Sequence, residues 1–147
     1  YTPMTNKYFE KLFKKIRKKH KAYLISRYKI KDFMSSLDNN KYHIFGFASD
    51  QSPTKIGKSY INYFLGQKVP IFTGAERFAK DYNLKVVFAD ITRVKRGHYV
   101  TKFQVIDDKK DSNYSITDQF IQLLEKQIYR DPSQYFWSHN RFKHIIN

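Results

Sequence analysis

An apolar run that ends in a sharp polar turn constrains this chain more than any other feature. Residues 42–48 are almost continuously apolar, and Asp50, Gln51 and Pro53 follow within five positions. Near-continuous apolarity is typical of a strand buried on both faces of a parallel sheet. Ligands usually bind such sheets at the carboxyl ends of the strands. The pattern therefore predicts a central strand that presents Asp50 and Gln51 at a sheet edge.

Apolar spacing along the rest of the chain predicts helices that alternate with strands. Helices are predicted from an Asn6 cap to about residue 19 and over residues 30–37, 74–82 and 115–129; strands are predicted over residues 22–26, 42–48, 84–91 and 99–106. Successive strand–helix–strand units are typical of parallel sheets. The predicted fold class is α/β, with a mixed, mainly parallel sheet flanked by helices.

The remaining segments give weaker predictions. Residues 61–65 are a short strand or an extended arm, and residues 66–73 are a loop. Residues 95–98 predict a four-residue hairpin loop before an antiparallel edge strand. Ser115 and Asp118 have the spacing of a capping box at the start of the last helix.

Composition limits the function classes. With 147 residues, the chain is long enough for one domain with a core, and its 41% hydrophobic content excludes disorder. The absence of cysteine excludes disulfides, thiolate metal sites and a cysteine nucleophile. The sequence contains no transmembrane span and no signal peptide. Because it begins with Tyr1 rather than Met, we expect it to be part of a longer protein.

The net charge of +15 predicts a polyanionic partner, such as nucleic acid, anionic lipid or a phosphorylated substrate. Much of this charge lies on the first predicted helix, whose apolar stripe is Phe9, Leu12, Phe13 and Ile16. Its basic face is either a solvated surface of a helix that covers a sheet, or a patch for anionic head groups.

Motif searches exclude several enzyme classes. Gly57-Lys58-Ser59 lacks the first glycine of a phosphate-binding loop, and there is no Gly-x-Ser-x-Gly motif. The histidines are too dispersed for a metal site, and His43 is interpreted as a hydrogen-bonded residue of the buried strand. None of the histidines has Asp or Glu five positions later, so a His-x4-Asp/Glu general-base pair is absent.

Asp50 and Gln51 remain the best candidates for a site. Asp50 either caps its turn by accepting from local backbone amides or, with Gln51, binds a polar ligand. Four basic residues are candidates for binding an anion near them: Lys55, Lys58, Arg93 and Arg141. In an extended tail Trp137, His139 and Arg141 share one side, with Trp137 expected to anchor the tail in the core.

Three segments resemble a known family, the late acyltransferases of lipid A biosynthesis, most closely in their Bacteroidetes-type branch. They are Phe47-Ala48-Ser49-Asp50-Gln51-Ser52-Pro53, the run from Phe64-Leu65-Gly66 through Val69-Pro70-Ile71-Phe72-Thr73-Gly74 to Lys80, and the tail Asp131-Pro132-Ser133-Gln134-Tyr135-Phe136-Trp137-Ser138-His139-Asn140-Arg141-Phe142-Lys143. The resemblance covers almost the whole chain, in order. Thr2 departs from the family's Arg in its Tyr-Arg-Pro-like segment, and Asn140 replaces a frequently basic residue.

The resemblance implies a lysophospholipid-acyltransferase-type fold and transfer of a fatty acyl chain from acyl carrier protein to a lipid A precursor. It implies a peripheral or anchored position at the cytoplasmic face of the bacterial inner membrane, and no cofactor. The family's His-x4-Asp/Glu motif lies upstream of the segment that matches Tyr1, so the chain is expected to be the carboxyl-terminal portion of one acyltransferase domain, without catalytic residues of its own.

Two other hypotheses remain open at this point. A basic nucleic-acid-binding module would suit the charge and the interleaved aromatic residues, although no RNA or DNA motif supports it. Tight, salt-dependent binding of oligonucleotides without affinity for anionic vesicles would favour that module. A non-catalytic structural remnant is the third hypothesis.

Overall fold

The computed structural model of the protein describes residues 1–38, 40–53, 59–108 and 112–146, apart from the His20 side chain. The chain divides into two compact units, Tyr1–Phe45 and Gly46–Asn147. Helices and strands are mixed, which confirms an α/β protein in the broad sense. No helix in the described part of the chain is long and apolar enough to cross a membrane.

The first unit contains helix α1 (Lys7–Arg17), a 3₁₀ turn (Lys19–Lys21) and helix α2 (Ile30–Ser35). The Asn6 cap is confirmed, because its side chain accepts hydrogen bonds from two backbone amides of the first turn. Helix α1 is amphipathic as predicted, but the side chains of its apolar stripe are 37–54% exposed. Within this unit the stripe is therefore not buried against a sheet.

The strands predicted over residues 22–26 and 42–48 do not form in this structure. Tyr42 and Ile44 are fully exposed, and His43, predicted to be buried, is exposed with its Nε2 3.0 Å from the Asp38 carbonyl oxygen. A strand needs a neighbouring strand to satisfy its amides, and no described strand pairs with either segment.

One pair of backbone hydrogen bonds does have the parallel pattern. The Tyr1 nitrogen donates to the Ile25 carbonyl (2.6 Å), and the Tyr1 carbonyl accepts from the Arg27 amide (2.9 Å). This offset exchange is one step of a parallel ladder, and it falls on a predicted strand. A single step does not make a sheet.

The second unit contains two antiparallel hairpins and two longer helices. In chain order its elements are β1 (Tyr60–Phe64), β2 (Gln67–Ile71), α3 (Gly74–Asp81), β3 (Val86–Lys95), β4 (His98–Ile106), α4 (Ser115–Arg130) and a 3₁₀ turn (Pro132–Gln134). Each sheet has two strands, β1 with β2 and β3 with β4. The prediction of a mainly parallel sheet is therefore wrong for the described strands, because each pairs with its neighbour in sequence through a tight turn.

The two hairpin turns explain this pairing. Leu65 and Gly66 both have positive φ (48° and 78°), the combination that a two-residue type I′ turn requires, so part of the predicted loop 66–73 is strand β2. Lys95 pairs directly with His98, so the second predicted hairpin is confirmed with a two-residue rather than a four-residue loop.

Helix α4 packs its apolar stripe against both sheets. The buried cluster consists of Phe64, Val69, Ile71, Phe88, Ile106, Ile116, Ile121, Leu124 and Ile128. Each such side chain contributes about 1.5–3 kcal/mol when it leaves water. This cluster fixes β1, β2 and β3 relative to α4, and thereby the residues that flank β1 and β2.

Glu76 of α3 caps the amino end of α4. The predicted capping box is wrong, because Ser115 is already helical and its hydroxyl donates to Asp108, while no side chain of the N-cap residue Tyr114 caps the helix. The buried Glu76 carboxylate instead accepts from the backbone amide (2.9 Å) and hydroxyl (2.5 Å) of Thr117. A carboxylate there satisfies a first-turn amide and complements the helix dipole.

The outer face of the β3–β4 hairpin is apolar and exposed. Phe88 and Ile106, on the inner face, are buried in the core around α4. On the other face lie Val87, Ile91, Tyr99, Phe103 and Val105, which are 45–73% exposed. The described residues therefore cover this sheet on only one of its two faces.

Candidate functional site

The turn after residues 42–48 is held by the carboxyl-terminal tail. The Tyr135 hydroxyl donates to the Asp50 carbonyl (3.2 Å). The Ser52 amide donates to Nε2 of His139 (3.1 Å), and the Ser52 hydroxyl donates to the Arg141 carbonyl (2.7 Å). These bonds join residues more than 80 positions apart in sequence. The tail therefore contributes to the conformation of the turn.

Arg141 ties the same turn to strand β2. The residue is only 2% exposed. Its Nη1 donates to the Ser52 hydroxyl (3.3 Å) and to the Pro70 carbonyl (3.1 Å). The guanidinium carbon lies 5.1 Å from the centre of the Phe64 ring, a cation–π distance. Arg141 is thus a structural link in the interior rather than a surface contact for a phosphate.

The Asp50 and Gln51 side chains have no hydrogen-bond partner among the residues that the structure describes. An Asp that caps its own turn usually accepts from the amide two residues later. That amide belongs to Ser52, and it donates to His139. Among the described residues, the geometry therefore gives no support to the turn-capping interpretation.

The other candidate residues do not all converge on this turn. Arg93 lies on β3 beside the Gln134 side chain; when the Gln134 amide is assigned with its oxygen facing the guanidinium, that oxygen accepts from Nε (3.3 Å) and Nη2 (3.2 Å). In the described part of the chain Arg93 forms no hydrogen bond or ion pair with Asp50 or Gln51. Lys55 and Lys58 lie outside the described residues.

The tail is compact rather than extended. A 3₁₀ turn and further turns follow α4, so the predicted alternation of Trp137 and Arg141 on one side does not apply. Trp137 is half-exposed, donates from its indole nitrogen to the Pro132 carbonyl (2.7 Å) and packs edge-on against Tyr135. The prediction that Trp137 anchors the tail in the core is wrong; the buried anchor is Arg141.

Burial and charge act together on the tail residues. Burial raises the pKa of the Tyr135 phenol, and the nearby negative charge of Asp50 adds to the increase. Burial lowers the pKa of the Arg141 guanidinium, while Tyr135 and Asp50 partly oppose that shift. The tail therefore places a neutral hydroxyl and a desolvated cation beside the turn.

Sequence reasoning missed Ser52, Tyr135 and His139 as the residues that hold the turn. Ser52 was visible only as part of a polar loop, and His139 only as a member of a basic tail. No local spacing connects residues 50–52 with residues 135–141, so only the fold could bring them together.

Chemically, the site offers a carboxylate and a side-chain amide on a backbone segment that hydrogen bonds from the carboxyl-terminal tail hold in place. Such groups can bind hydroxyl or amide groups of a polar ligand with little loss of conformational entropy. Among the described residues, no group of three or more His, Asp or Glu side chains is arranged to hold a metal ion.

Comparison with known proteins gives one family. The family model described as bacterial lipid A biosynthesis acyltransferase matches residues 1–144. None of the curated proteins matches the chain. The matched range includes both units, the turn at Asp50 and the tail through Lys143.

Proposed function

The chain belongs to the bacterial lipid A biosynthesis acyltransferase family, and from that premise we propose that it is the carboxyl-terminal portion of an acyltransferase domain. The enzyme transfers a fatty acyl chain from acyl carrier protein to a lipid A precursor. The observation that carries the site is the turn, whose backbone is bonded to the tail while Asp50 and Gln51 have no partner in the described chain.

In this proposal Asp50 and Gln51 form one wall of the pocket for the acceptor or the transition state. The acceptor hydroxyl attacks the thioester carbonyl, an ester bond forms, and the carrier thiolate leaves. The base that takes the hydroxyl proton is the His of a His-x4-Asp/Glu motif, which is not present in these 147 residues. Arg93, Lys55 and Lys58 are proposed contacts for anionic groups of the substrates.

Two exposed apolar surfaces support the proposal that this chain is part of a larger domain. The outer face of the β3–β4 hairpin carries Val87, Phe103 and Val105 in open solvent. Before the turn, Tyr42 and Ile44 are fully exposed. Apolar surfaces of this kind are normally covered, and we propose that the remainder of the same domain covers them.

The charge supports two partners. Acyl carrier protein is acidic, and a net charge of +15 favours its capture. Helix α1 carries lysines and arginine around an exposed apolar stripe, which suits the anionic surface of the bilayer at the cytoplasmic face of the inner membrane. In this proposal the buried Arg141 stabilises the turn through Ser52 and the Pro70 carbonyl instead of binding phosphate directly.

The first experiment compares the purified 147-residue chain with the complete gene product on an acyl carrier protein thioester and a lipid A precursor. We expect turnover only with the complete product, because the general base is absent from the shorter chain. Measurable acyl transfer by the 147-residue chain alone contradicts the proposed arrangement.

The second experiment tests the turn. Asp50→Ala in the complete gene product should lower kcat/KM by more than about tenfold while unfolding at nearly the wild-type urea concentration, since its carboxylate bonds no described residue. Asp81→Ala, an exposed carboxylate at the end of α3, is the matched control. Equal losses of activity and stability in Asp50→Ala would return Asp50 to a structural role.

A further inference from the structure

We propose that Ser52, His139 and Arg141 are positioning residues for acyl transfer: through their mutual contacts, the tail fixes the backbone from which Asp50 and Gln51 project. The inference rests on the proposed function, in which those two side chains face the acceptor. None of the three positioning residues needs to touch substrate.

Ser52 is the point where tail and turn meet. It directly follows Gln51 in sequence, and its three hydrogen bonds to described residues all go to the tail. The backbone amide is bound by His139, and the hydroxyl donates to one group of Arg141 and accepts from another. A rotation of the peptide at Ser52 would break these bonds together, so they restrict the direction in which the preceding side chains point.

Packing alone does not explain why residue 141 is an arginine. Arg141 forms no ion pair with a described residue, and the negative charge of Asp50 offsets only part of the cost of burying its cation. An apolar side chain would fill the space beside Phe64 without this cost. What the guanidinium adds is the bridge from Ser52 to the Pro70 carbonyl, which connects the turn to strand β2.

His139 contributes through one nitrogen. Its Nε2 accepts the Ser52 amide, so in this arrangement Nε2 carries no proton. A glutamine side chain can place a carbonyl oxygen near the same point, whereas leucine fills similar space without an acceptor. The pair His139→Gln and His139→Leu therefore separates the hydrogen bond from the bulk of the ring.

The experiment uses the complete gene product and measures kcat/KM with the lipid A precursor varied. We expect His139→Leu and Ser52→Ala to lower kcat/KM between about tenfold and 100-fold, because a displaced turn misplaces two pocket groups. His139→Gln and Ser52→Thr should recover most of the loss. Ile128→Val, a mild core substitution in α4, controls for destabilisation and should keep the wild-type kcat/KM.

A double-mutant cycle separates positioning from a purely structural role. If His139 acts through Asp50, His139→Leu should cost much less in an Asp50→Asn background than in the wild type. Additive losses would overturn the inference while leaving the proposed function standing. If Asp50→Asn keeps the wild-type kcat/KM, the proposed role of Asp50 in the site is wrong, and the inference that depends on it is wrong as well.

Amide hydrogen exchange gives a readout that does not depend on activity. The amides of residues 50–52 should exchange faster in His139→Leu than in Ile128→Val, because the bond that protects the Ser52 amide is lost. Equal exchange in the two variants overturns the inference whatever the activity shows.

Discussion

Glu76→Ala should be among the most damaging single substitutions in the second unit. Glu76 is 3% exposed, and its carboxylate binds the amide and hydroxyl of Thr117 at the start of α4. Its other oxygen forms an ion pair with the Lys80 ammonium at 2.8 Å. Truncation leaves a buried amide, a buried hydroxyl and a lysine without their acceptor.

The cost follows from these contacts. Hydrogen bonds to a charged group contribute about 1.5–3 kcal/mol each, and Thr117 is itself buried, so water does not replace the lost acceptor. Lys80 is partly exposed and also lies 3.5 Å from Asp108, so its ion pair adds little. We expect Glu76→Ala to lower the free energy of unfolding by about 3–4 kcal/mol, and Thr117→Val, which loses one bond, by about 1–2 kcal/mol.

Urea unfolding followed by circular dichroism measures both values. Glu76→Gln, which keeps the shape and loses the charge, should fall between the wild type and Glu76→Ala. Asp81→Ala on the same helix is exposed and should change the free energy of unfolding by less than about 0.5 kcal/mol. A Glu76→Ala effect below about 1 kcal/mol would refute the view that Glu76 caps α4.

Three further predictions concern stability. Burial raises the pKa of Tyr60 to about 12. Because an unfolded tyrosine ionises near pH 10, stability should fall as the pH rises from about 10 through 12. Tyr60→Phe should reduce this dependence in urea unfolding, and the raised pKa of Tyr135 should account for part of what remains. The Arg130 guanidinium lowers the pKa of Asp90, so the stabilisation from this pair is present at neutral pH and is lost as the pH falls below about 4. Arg130→Met should therefore make the free energy of unfolding less dependent on pH in this acidic range. Gly66→Ala, at φ 78°, should lower the free energy of unfolding by about 1–2 kcal/mol, whereas Gly46→Ala, which has open space around it, should be near neutral in thermal unfolding.

Local elements were predictable where a local signal decides them. Asn6 caps α1 because its side chain reaches amides two and three residues later. Helices α3 and α4 and the β3–β4 hairpin follow from apolar spacing and from a glycine turn. The Leu65-Gly66 turn was missed, because a leucine at positive φ has no strong sequence signature.

The candidate site was predictable only in part. An acid and an amide after an apolar run indicated where a ligand would bind, and the structure leaves both side chains without described partners. The prediction that Arg141 binds an anion stays a prediction; the structure shows that the tail is not extended and that Arg141 is buried beside the turn. The assignment of Arg93 to the pocket stays a prediction, since its described contact is with Gln134.

The sequence by itself determined the charge, the amphipathic helices and the order of motifs that identifies the family, because each is a property of the residues or of their spacing. Only the tertiary structure decided that Glu76 caps α4 and that the tail holds the turn at Ser52. Both depend on hydrogen bonds between residues 41 to 89 positions apart. Such bonds form only when core packing has brought donor and acceptor atoms within about 3 Å of each other, and no local pattern in the chain encodes that distance.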